Sequence, residues 1–333
     1  MTAHVIDGRR YAHDLRTTLA SDVRVLTDQG GRPGLATVIV GDNYPAHAYE
    51  RRVRQLALGI GVRYVREALP SNAPEADVVA VIGKLNADPR ISGILILRPL
   101  PPQVSEAALY RVLDPLKDIE AVHPVNAGLL ALGRARFVPS TPASVFHLLD
   151  RYLVESGRDP AAVYEGSNVV VVGRSVNVGR PLVTLGMERG ATVTSCDVHT
   201  FSAGLLESHT RNADILIVAT GVPGLIGADH VRDGAIAVDV GINAVPAPDG
   251  KGVRLVGDLD FAAVATRASA LTPVPGGVGP ITDVWLLRNT VAAARTALQM
   301  SATHPVLEGL TLLTAPEPLP RQLLETSVPA VDS

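Results

Sequence analysis

Residues 169–181 read VVVVGRSVNVGRP, and this stretch decides the fold class. The four valines at 169–172 are typical of a strand that is buried on both faces of a parallel sheet. Gly173 then permits a tight turn, and Gly179 lets a helix start close to the strand with its free N–H groups facing a phosphate. The middle glycine of the usual G-x-G-x-x-G pattern is missing. Taken alone, the stretch fits a dinucleotide site and an ordinary strand-to-helix turn about equally well.

Composition limits the class of protein and its partners. The chain has 333 residues, 47% of them hydrophobic, which is enough to form the core of one large or two ordinary α/β domains. The net charge is −3 with both signs interspersed, so we expect neither a nucleic-acid partner nor a membrane partner. Cys196 is the only cysteine, and the N-terminus lacks the apolar core of a signal peptide. These features predict a cytoplasmic protein without an intrachain disulfide.

Helix-like and strand-like segments alternate along the chain in two series. The first series has predicted helices at 9–26, 46–58 and 76–85 and predicted strands at 35–40, 62–66 and 93–97. The second series begins near Pro142, with a helix at 143–153 and strands at 169–172, 191–195, 214–219 and 235–240. A long helix at 281–299 follows and can return to the first series, whereas the proline-containing 305–333 is predicted to be an irregular tail. The pattern predicts an α/β fold built from two sets of βαβ units.

Three further segments extend the opening motif. They are Val40-Gly41-Asp42-Asn43 leading to Tyr49, Lys117-Asp118 leading to His123-Pro124 and Asn126, and TPVPGGVGP at 272–280. In this order, together with Gly173-Arg174-Ser175, Asp239-Val240-Gly241-Ile242-Asn243 and Val256-Gly257-Asp258, they resemble the methylenetetrahydrofolate dehydrogenase/cyclohydrolase family. The resemblance runs from Ile6 to about Thr290, and PVPGGVGP is its most specific segment.

The resemblance implies two α/β domains around a folate-binding cleft. Residues 1–142 plus 281–304 would form the catalytic domain, and 143–280 a Rossmann-like domain that binds NADP or NAD. It also implies a homodimer. In the family, a hydride passes from 5,10-methylenetetrahydrofolate to the nicotinamide, and the resulting 5,10-methenyl form is hydrolysed to the formyl form. The hydride transfer mainly needs the methylene carbon of the folate and the nicotinamide carbon that accepts the hydride to be held close together. The hydrolysis needs a titratable group that activates water.

Two positions depart from the family where that titratable group would stand. The family has a lysine four residues after the tyrosine, and this chain has Val53. The glutamine that orients the lysine is replaced by Leu97, and the chain's lysines are only Lys84, Lys117 and Lys251. The nearby Arg52 and Arg54 cannot replace the lysine as a base, because a guanidinium stays protonated. Both arginines are predicted to lie on a solvated face. We expect a weak or absent cyclohydrolase activity.

The resemblance also assigns substrate residues. The family's Lys-Asp-Val-Asp-Gly is here Lys117-Asp118-Ile119-Glu120-Ala121, so the carboxylate for the pterin amino edge is one methylene longer; a surface acid is the alternative. Tyr49 is expected to stack on the substrate, although a half-buried helix aromatic would also fit. The catalytic candidates are Tyr49 and Glu120, and the full substrate-binding set is Tyr49, Val53, Leu97, Glu120, Pro275, Gly276, Gly277, Val278 and Gly279.

The cofactor-binding candidates surround the opening motif. They are Gly173, Arg174, Ser175, Val178, Asp197, Thr220, Gly221 and Ile242, and no metal site is predicted. Arg174 favours NADP because it could meet the 2′-phosphate, whereas Asp197 favours NAD because a carboxylate after the second strand binds ribose hydroxyls. The sequence leaves this choice open. Two other functions also remain: a nicotinamide-dependent reductase of another cyclic iminium or imine, and a non-catalytic paralogue that binds folate or nucleotide.

Overall fold

The computed structural model describes residues 3–247 and 252–301, so the predicted tail at 305–333 lies outside the described residues. The strands are β1 His4–Val5, β2 Gly34–Val40, β3 Arg63–Leu69, β4 Gly93–Ile96, β5 Asn168–Val172, β6 Thr192–Cys196, β7 Ile215–Val218, β8 Ile236–Asp239, β9 Asn243–Pro246, β10 Val253–Val256 and β11 Ala270–Leu271. The helices are α1 Gly8–Asp28, α2 Tyr44–Gly59, α3 Glu75–Ala87, α4 Glu106–Val112, α5 Pro124–Ala131, α6 Ser140–Glu155, α7 Pro160–Glu165, α8 Gly179–Glu188, α9 Val198–Ser202, α10 Leu206–Thr210, α11 Phe261–Val264 and α12 Val278–Ser301.

The first sheet is three-stranded and parallel, in the order β3-β2-β4. Every residue of the central strand β2 is buried. Side chains alternate across a strand, so Leu35 and Ile39 pack in one core while Ala36 and Val38 pack in another. The continuous apolar strand β2 therefore belongs to a sheet that is covered on both faces.

The second sheet is six-stranded, in the order β1-β11-β8-β7-β5-β6, with each neighbouring pair parallel. Val169 and Val171 pack in one core, and Val170 and Val172 pack in the other. The predicted α/β class with a Rossmann-like parallel sheet is confirmed. The two-residue strand β1 was not predicted, because a pattern of two residues has no periodicity.

Helix α12 ties the second series back to the first sheet. It packs on α1 and α6, and it also contacts α2, β2 and β4. Its first turn carries Val278 and Gly279 to the region where the two sheets face each other. The long predicted helix is confirmed, and its position places the end of the PVPGGVGP segment beside α2.

Candidate active site

A cleft of about 380 Å³ lies between the two sheets. It brings together six residues singled out from the sequence, which are Tyr49, Leu97, Glu120, Ile242, Val278 and Gly279. Tyr49 comes from α2, which Asn43 caps by accepting a hydrogen bond from the backbone N–H of Ala46 at 3.0 Å. Leu97 directly follows β4. Residues far apart in the sequence thus form one concave surface.

Other predicted substrate residues lie away from the lining of this cleft. Val53 is 0% exposed and belongs to the hydrophobic core. The turn at 275–277 packs on the start of α1 instead, where the Gly8 N–H donates to the carbonyl of Gly276 at 2.9 Å. A Cβ at Gly8 would lie 1.8 Å from the Gly277 oxygen, so this contact requires glycine. Pro275, Gly276 and Gly277, which were predicted to bind substrate, therefore pack on α1 and do not line the cleft.

Tyr49 presents a neutral phenol to the cleft. Burial raises its pKa well above the ordinary value, and the charges of Asp283 and Glu120 add to this effect. The guanidinium of Arg52 lies 5.3 Å from the centre of the Tyr49 ring. The tyrosine is thus a hydrogen-bonding and stacking group that stays protonated at working pH.

Arg52 forms an ion pair that the sequence did not predict. Its Nε donates to Asp283 Oδ2 at 2.7 Å, and its Nη2 donates to Oδ1 at 3.4 Å. The Arg52 side chain is 58% exposed, in line with the predicted solvated face, whereas that of Asp283 is only 12% exposed. Burial raises the pKa of Asp283, and the hydrogen bond and charge of Arg52 oppose this shift. The pair connects α2 to α12, and both residues line the cleft.

Glu120 offers the cleft an oxygen that has no partner. Its Oε1 is buried, and it accepts no hydrogen bond from the described part of the chain. Burial raises the pKa of Glu120, while Ser140 and Arg98 act in the opposite direction. The neighbouring Asp118 differs, since it is fully buried and accepts from the backbone N–H groups of Val122 and His123. Asp118 holds the loop, and Glu120 remains available to a ligand.

The lysines that the structure describes cannot replace the family's lysine. The Lys117 ammonium donates to three backbone carbonyls, those of Leu85, Asn86 and Asp88, at 2.6–3.0 Å. The exposed Lys84 ammonium lies 3.7 Å from Glu67 Oε1 on strand β3. Neither lines the cleft.

Two glycines shape the turn between β5 and α8, where the sequence predicts a nucleotide site. Gly173 has φ +114°, and a Cβ there would lie 2.2 Å from the carbonyl oxygen of Ala219. A Cβ at Gly179 would lie 2.1 Å from the oxygen of Gly173. Helix α8 therefore begins directly against the end of β5, and the Gly179 N–H donates to Ser175 Oγ at 3.3 Å. This narrow cradle at a helix N-terminus fits the pyrophosphate of a dinucleotide.

The two residues that indicated different cofactors bind each other. Arg174 Nη1 donates to Asp197 Oδ2 at 2.8 Å, and the guanidinium also donates to Ser195. Asp197 in turn caps α9 by accepting from the backbone N–H groups of His199 and Thr200. The Thr200 bond is the largest cause of its lowered pKa, and the charge of Arg174 adds to it. Ion pairing thus neutralises both charges at the end of β6.

Two buried carboxylates fix the loops that follow β7 and β8. Asp258 Oδ2 accepts from the backbone N–H groups of Thr220 and Gly221 at 2.6 and 2.9 Å. Asp239 Oδ1 accepts from the backbone N–H groups of Gly241 and Asp258, each at 3.0 Å. Burial raises the pKa of Asp239 to about 6. Sequence reasoning quoted both aspartates but gave neither a role.

Arg98 was not predicted as a site residue. This exposed residue lines the cleft, and its guanidinium contacts the side-chain amide of Asn177, which lies in the loop after β5. Within 3–247 and 252–301, no group of three His, Cys, Asp or Glu residues is arranged to hold a metal. No helix of that part of the chain is long and apolar enough to cross a membrane.

Comparison with known families gives matches over both halves. Residues 6–120 match the family model "Tetrahydrofolate dehydrogenase/cyclohydrolase, catalytic domain", and 139–298 match "Tetrahydrofolate dehydrogenase/cyclohydrolase, NAD(P)-binding domain". Bifunctional protein FolD 3 of Rubrobacter xylanophilus is 64% identical over 310 residues, covering 93% of this chain and 98% of that protein. Bifunctional protein FolD of Bacillus subtilis is 39% identical over 298 residues, covering 90% of this chain and 100% of that protein.

Solved structures show the same two-sheet arrangement. The Trypanosoma brucei N5,N10-methylenetetrahydrofolate dehydrogenase-cyclohydrolase, complexed with NADP cofactor and inhibitor, matches with a TM-score of 0.82 at 34% identity. The match covers 90% of this chain and 99% of that one. The bifunctional enzyme from Campylobacter jejuni matches with a TM-score of 0.81, also at 34% identity, over 88% of this chain and 99% of that one.

Proposed function

This chain belongs to the tetrahydrofolate dehydrogenase/cyclohydrolase family, and on that premise we propose that it retains the dehydrogenase reaction while its cyclohydrolase reaction is weak or absent. It would transfer a hydride from 5,10-methylenetetrahydrofolate to NADP or NAD and release the 5,10-methenyl form. The family is one of NAD(P)-dependent enzymes, so the predicted enzyme class and the predicted resemblance are confirmed.

One observation carries the proposal about hydrolysis. Val53 and Leu97, which stand in place of the family's lysine and glutamine, are 0% and 4% exposed and lie in the same hydrophobic core. Neither position can move a proton. Attack by water on the methenyl ring needs such a group, whereas loss of a hydride does not, because the two ring nitrogens stabilise the cation that forms.

The residues of the cleft match the needs of hydride transfer. Tyr49 would stack on the substrate, and the unpaired Oε1 of Glu120 would accept from its pterin amino edge. Because that oxygen would be engaged with substrate, it would not be free to activate water. The cradle formed by Gly173 and Gly179 would hold the pyrophosphate of the cofactor. When bound, the nicotinamide supplies the acceptor for the hydride.

The apolar lining supports a second candidate function. Leu97, Ile242 and Val278 all face the cleft, which would also suit reduction of another cyclic iminium with the same cofactor. We further propose the division into 1–142 plus 281–304 and 143–280, and a homodimer. Light scattering on the purified protein would test the oligomeric state.

The deciding experiment mixes the purified protein with 5,10-methylenetetrahydrofolate and each nicotinamide and measures reduced cofactor and methenyl product separately. We expect the methenyl form to accumulate, with no hydrolysis above the background rate. Rapid enzyme-dependent hydrolysis would show that another residue replaces the lysine. Absence of hydride transfer would favour the second substrate class, and absence of nicotinamide binding would favour a non-catalytic paralogue.

A further inference from the structure

The ion pair of Arg52 and Asp283 lies beside the stacking residue of the cleft. Both side chains line the cleft together with Tyr49. The guanidinium contacts the Tyr49 ring on one side, at 5.3 Å from its centre, and binds the Asp283 carboxylate through two nitrogens. Tyr49 and Arg52 are three residues apart on α2 and therefore share a face of the helix.

We propose that Arg52 and Asp283 are positioning residues for hydride transfer. Arg52 holds the Tyr49 ring for the substrate, and Asp283 both orients Arg52 and cancels its charge where the substrate becomes cationic. This inference rests on the proposed dehydrogenase function.

The geometry supports the orienting role. A guanidinium on a flexible side chain has many rotamers, but two donors on one carboxylate fix its plane. Asp283 is itself held on α12, a helix that packs on α1 and α6. The contact joins residues 231 positions apart, so it fixes α2 against α12 at the mouth of the substrate site. Tyr49 thus stacks against a cation whose position is set by the second half of the chain.

The chemistry supports the charge-cancelling role. In the reaction the methylene C–H bond would break, and the hydride would form a new C–H bond on the nicotinamide, so that the folate is oxidised and the nicotinamide is reduced. Both electrons leave with the hydride, so a positive charge remains on the N–C–N unit of the folate and no proton moves. An unpaired guanidinium near this unit would oppose the charge that develops. With Asp283 in place the pair is neutral. The other charged groups that face the cleft, Arg98 and Glu120, have opposite charges as well.

Three variants separate the two roles. Asp283→Asn leaves Arg52 unpaired, and we expect kcat for hydride transfer to fall about tenfold or more. Arg52→Leu removes support from Tyr49, and we expect KM for the folate to rise about fivefold with a smaller change in kcat. The double variant Arg52→Leu/Asp283→Val removes both charges, and its kcat should recover above that of Asp283→Asn. A purely structural role would make the double variant the worst of the three.

Arg51→Leu is the matched control. Arg51 is on the same helix with its guanidinium 5.8 Å from the Tyr44 ring, but neither residue lines the cleft. We expect its KM and kcat to equal those of the wild type. Arg52→Lys keeps the charge without the planar fork and should give an intermediate KM, which provides a conservative rescue if Arg52→Leu unfolds.

Equilibrium binding of tetrahydrofolate, measured by calorimetry, distinguishes failure of this inference from failure of the proposed function. If the wild type transfers hydride and the double variant is as slow as Asp283→Asn, charge cancellation is refuted. Equal folate affinity of wild type and Arg52→Leu refutes the orienting role. If the wild type binds tetrahydrofolate but transfers no hydride, the proposed function and charge cancellation are both refuted. The orienting role is then decided by comparing the tetrahydrofolate affinities of the wild type and Arg52→Leu. A wild type that binds no tetrahydrofolate refutes both.

Discussion

The region proposed to bind the nucleotide and the region proposed to bind the folate are built in different ways. The first consists of loops whose backbones approach so closely that a single Cβ at Gly173 or Gly179 would collide with a carbonyl. The second consists of side chains on α2 and after β4, and there Val53 and Leu97, which stand where the family has polar residues, lie in a hydrophobic core. Binding that depends on backbone geometry cannot change without a change in the fold. Reactions that depend on side chains can be lost by substitution while the fold is kept.

Of the substitutions that test this difference, Gly173→Ala should have the largest effect on stability and cofactor binding. The new Cβ would lie 2.2 Å from the Ala219 oxygen at a residue with φ +114°, so we expect a loss of at least about 2 kcal/mol in the free energy of unfolding. NAD(P) affinity should fall by about 100-fold or more, as measured by calorimetry. Gly83→Ala on α3, where nothing lies within 4 Å of a Cβ, is the control and should stabilise slightly. Wild-type affinity in Gly173→Ala would contradict a backbone-built cradle.

The double variant Val53→Lys/Leu97→Gln tests whether side chains alone account for the loss of hydrolysis. Since these side chains restore the amine and its orienting amide, we expect methenyl hydrolysis to rise about 100-fold above the wild-type rate. The hydrolysis of methenyltetrahydrofolate is followed directly, and circular dichroism checks the fold. Val53→Met, which adds length without a titratable group, should leave hydrolysis unchanged. A folded double variant that binds folate yet hydrolyses no faster would count against our explanation.

Glu120→Gln should raise KM for the folate about tenfold, because a charged acceptor is lost from the cleft. Glu120→Asp should lie closer to the wild type. Burial raises the pKa of Glu120, and the ionised form is the one that accepts, so wild-type KM should rise as pH falls through that raised value. The KM of Glu120→Gln should stay flat over the same range. A wild-type KM independent of pH would argue against a contact between Glu120 and the substrate.

Asp197→Asn should have the smallest effect. It removes the charge that neutralises Arg174 while keeping a side chain that can cap α9. We expect the ratio of kcat/KM for NADP over NAD to rise about threefold, since a freed guanidinium attracts the 2′-phosphate. Steady-state kinetics with both cofactors provides the test, and Arg174→Leu should move the ratio in the opposite direction. An unchanged ratio would show that this pair lies away from the ribose.

Long periodic segments could be predicted from the sequence. The predicted helix at 9–26 is confirmed as α1, whose N-cap residue Asp7 accepts from the Arg9 N–H through Oδ1. The valine run forms β5, as predicted. The shortest strands could not be predicted. Strands β1 and β11 have two residues each; β1 pairs with β11, and β11 pairs with β8. Such elements depend on their neighbours rather than on their own pattern.

Part of the site was also predictable, because the resemblance identified Tyr49 and Glu120 before their position in one cleft was known. Arg98 and Asp283 were missed. Asp283 follows the PVPGGVGP segment as a lone carboxylate at the start of an otherwise apolar stretch, and that isolated charge was a signal. Its partner Arg52 is 231 residues earlier, and no pattern in the sequence connects the two residues. Residue spacing predicts contacts only within one helix or strand.

Three features could be derived from the residues alone, since they depend on side-chain size and local backbone freedom: the parallel sheet, the glycines of the cradle and the lack of a lysine one turn after Tyr49. Tertiary structure alone decided which charges meet. Arg174 pairs with Asp197, and Arg52 pairs with Asp283, although the sequence presents each only as a charged residue near a predicted site. The physical reason is that an ion pair depends on distance and burial, and packing sets both.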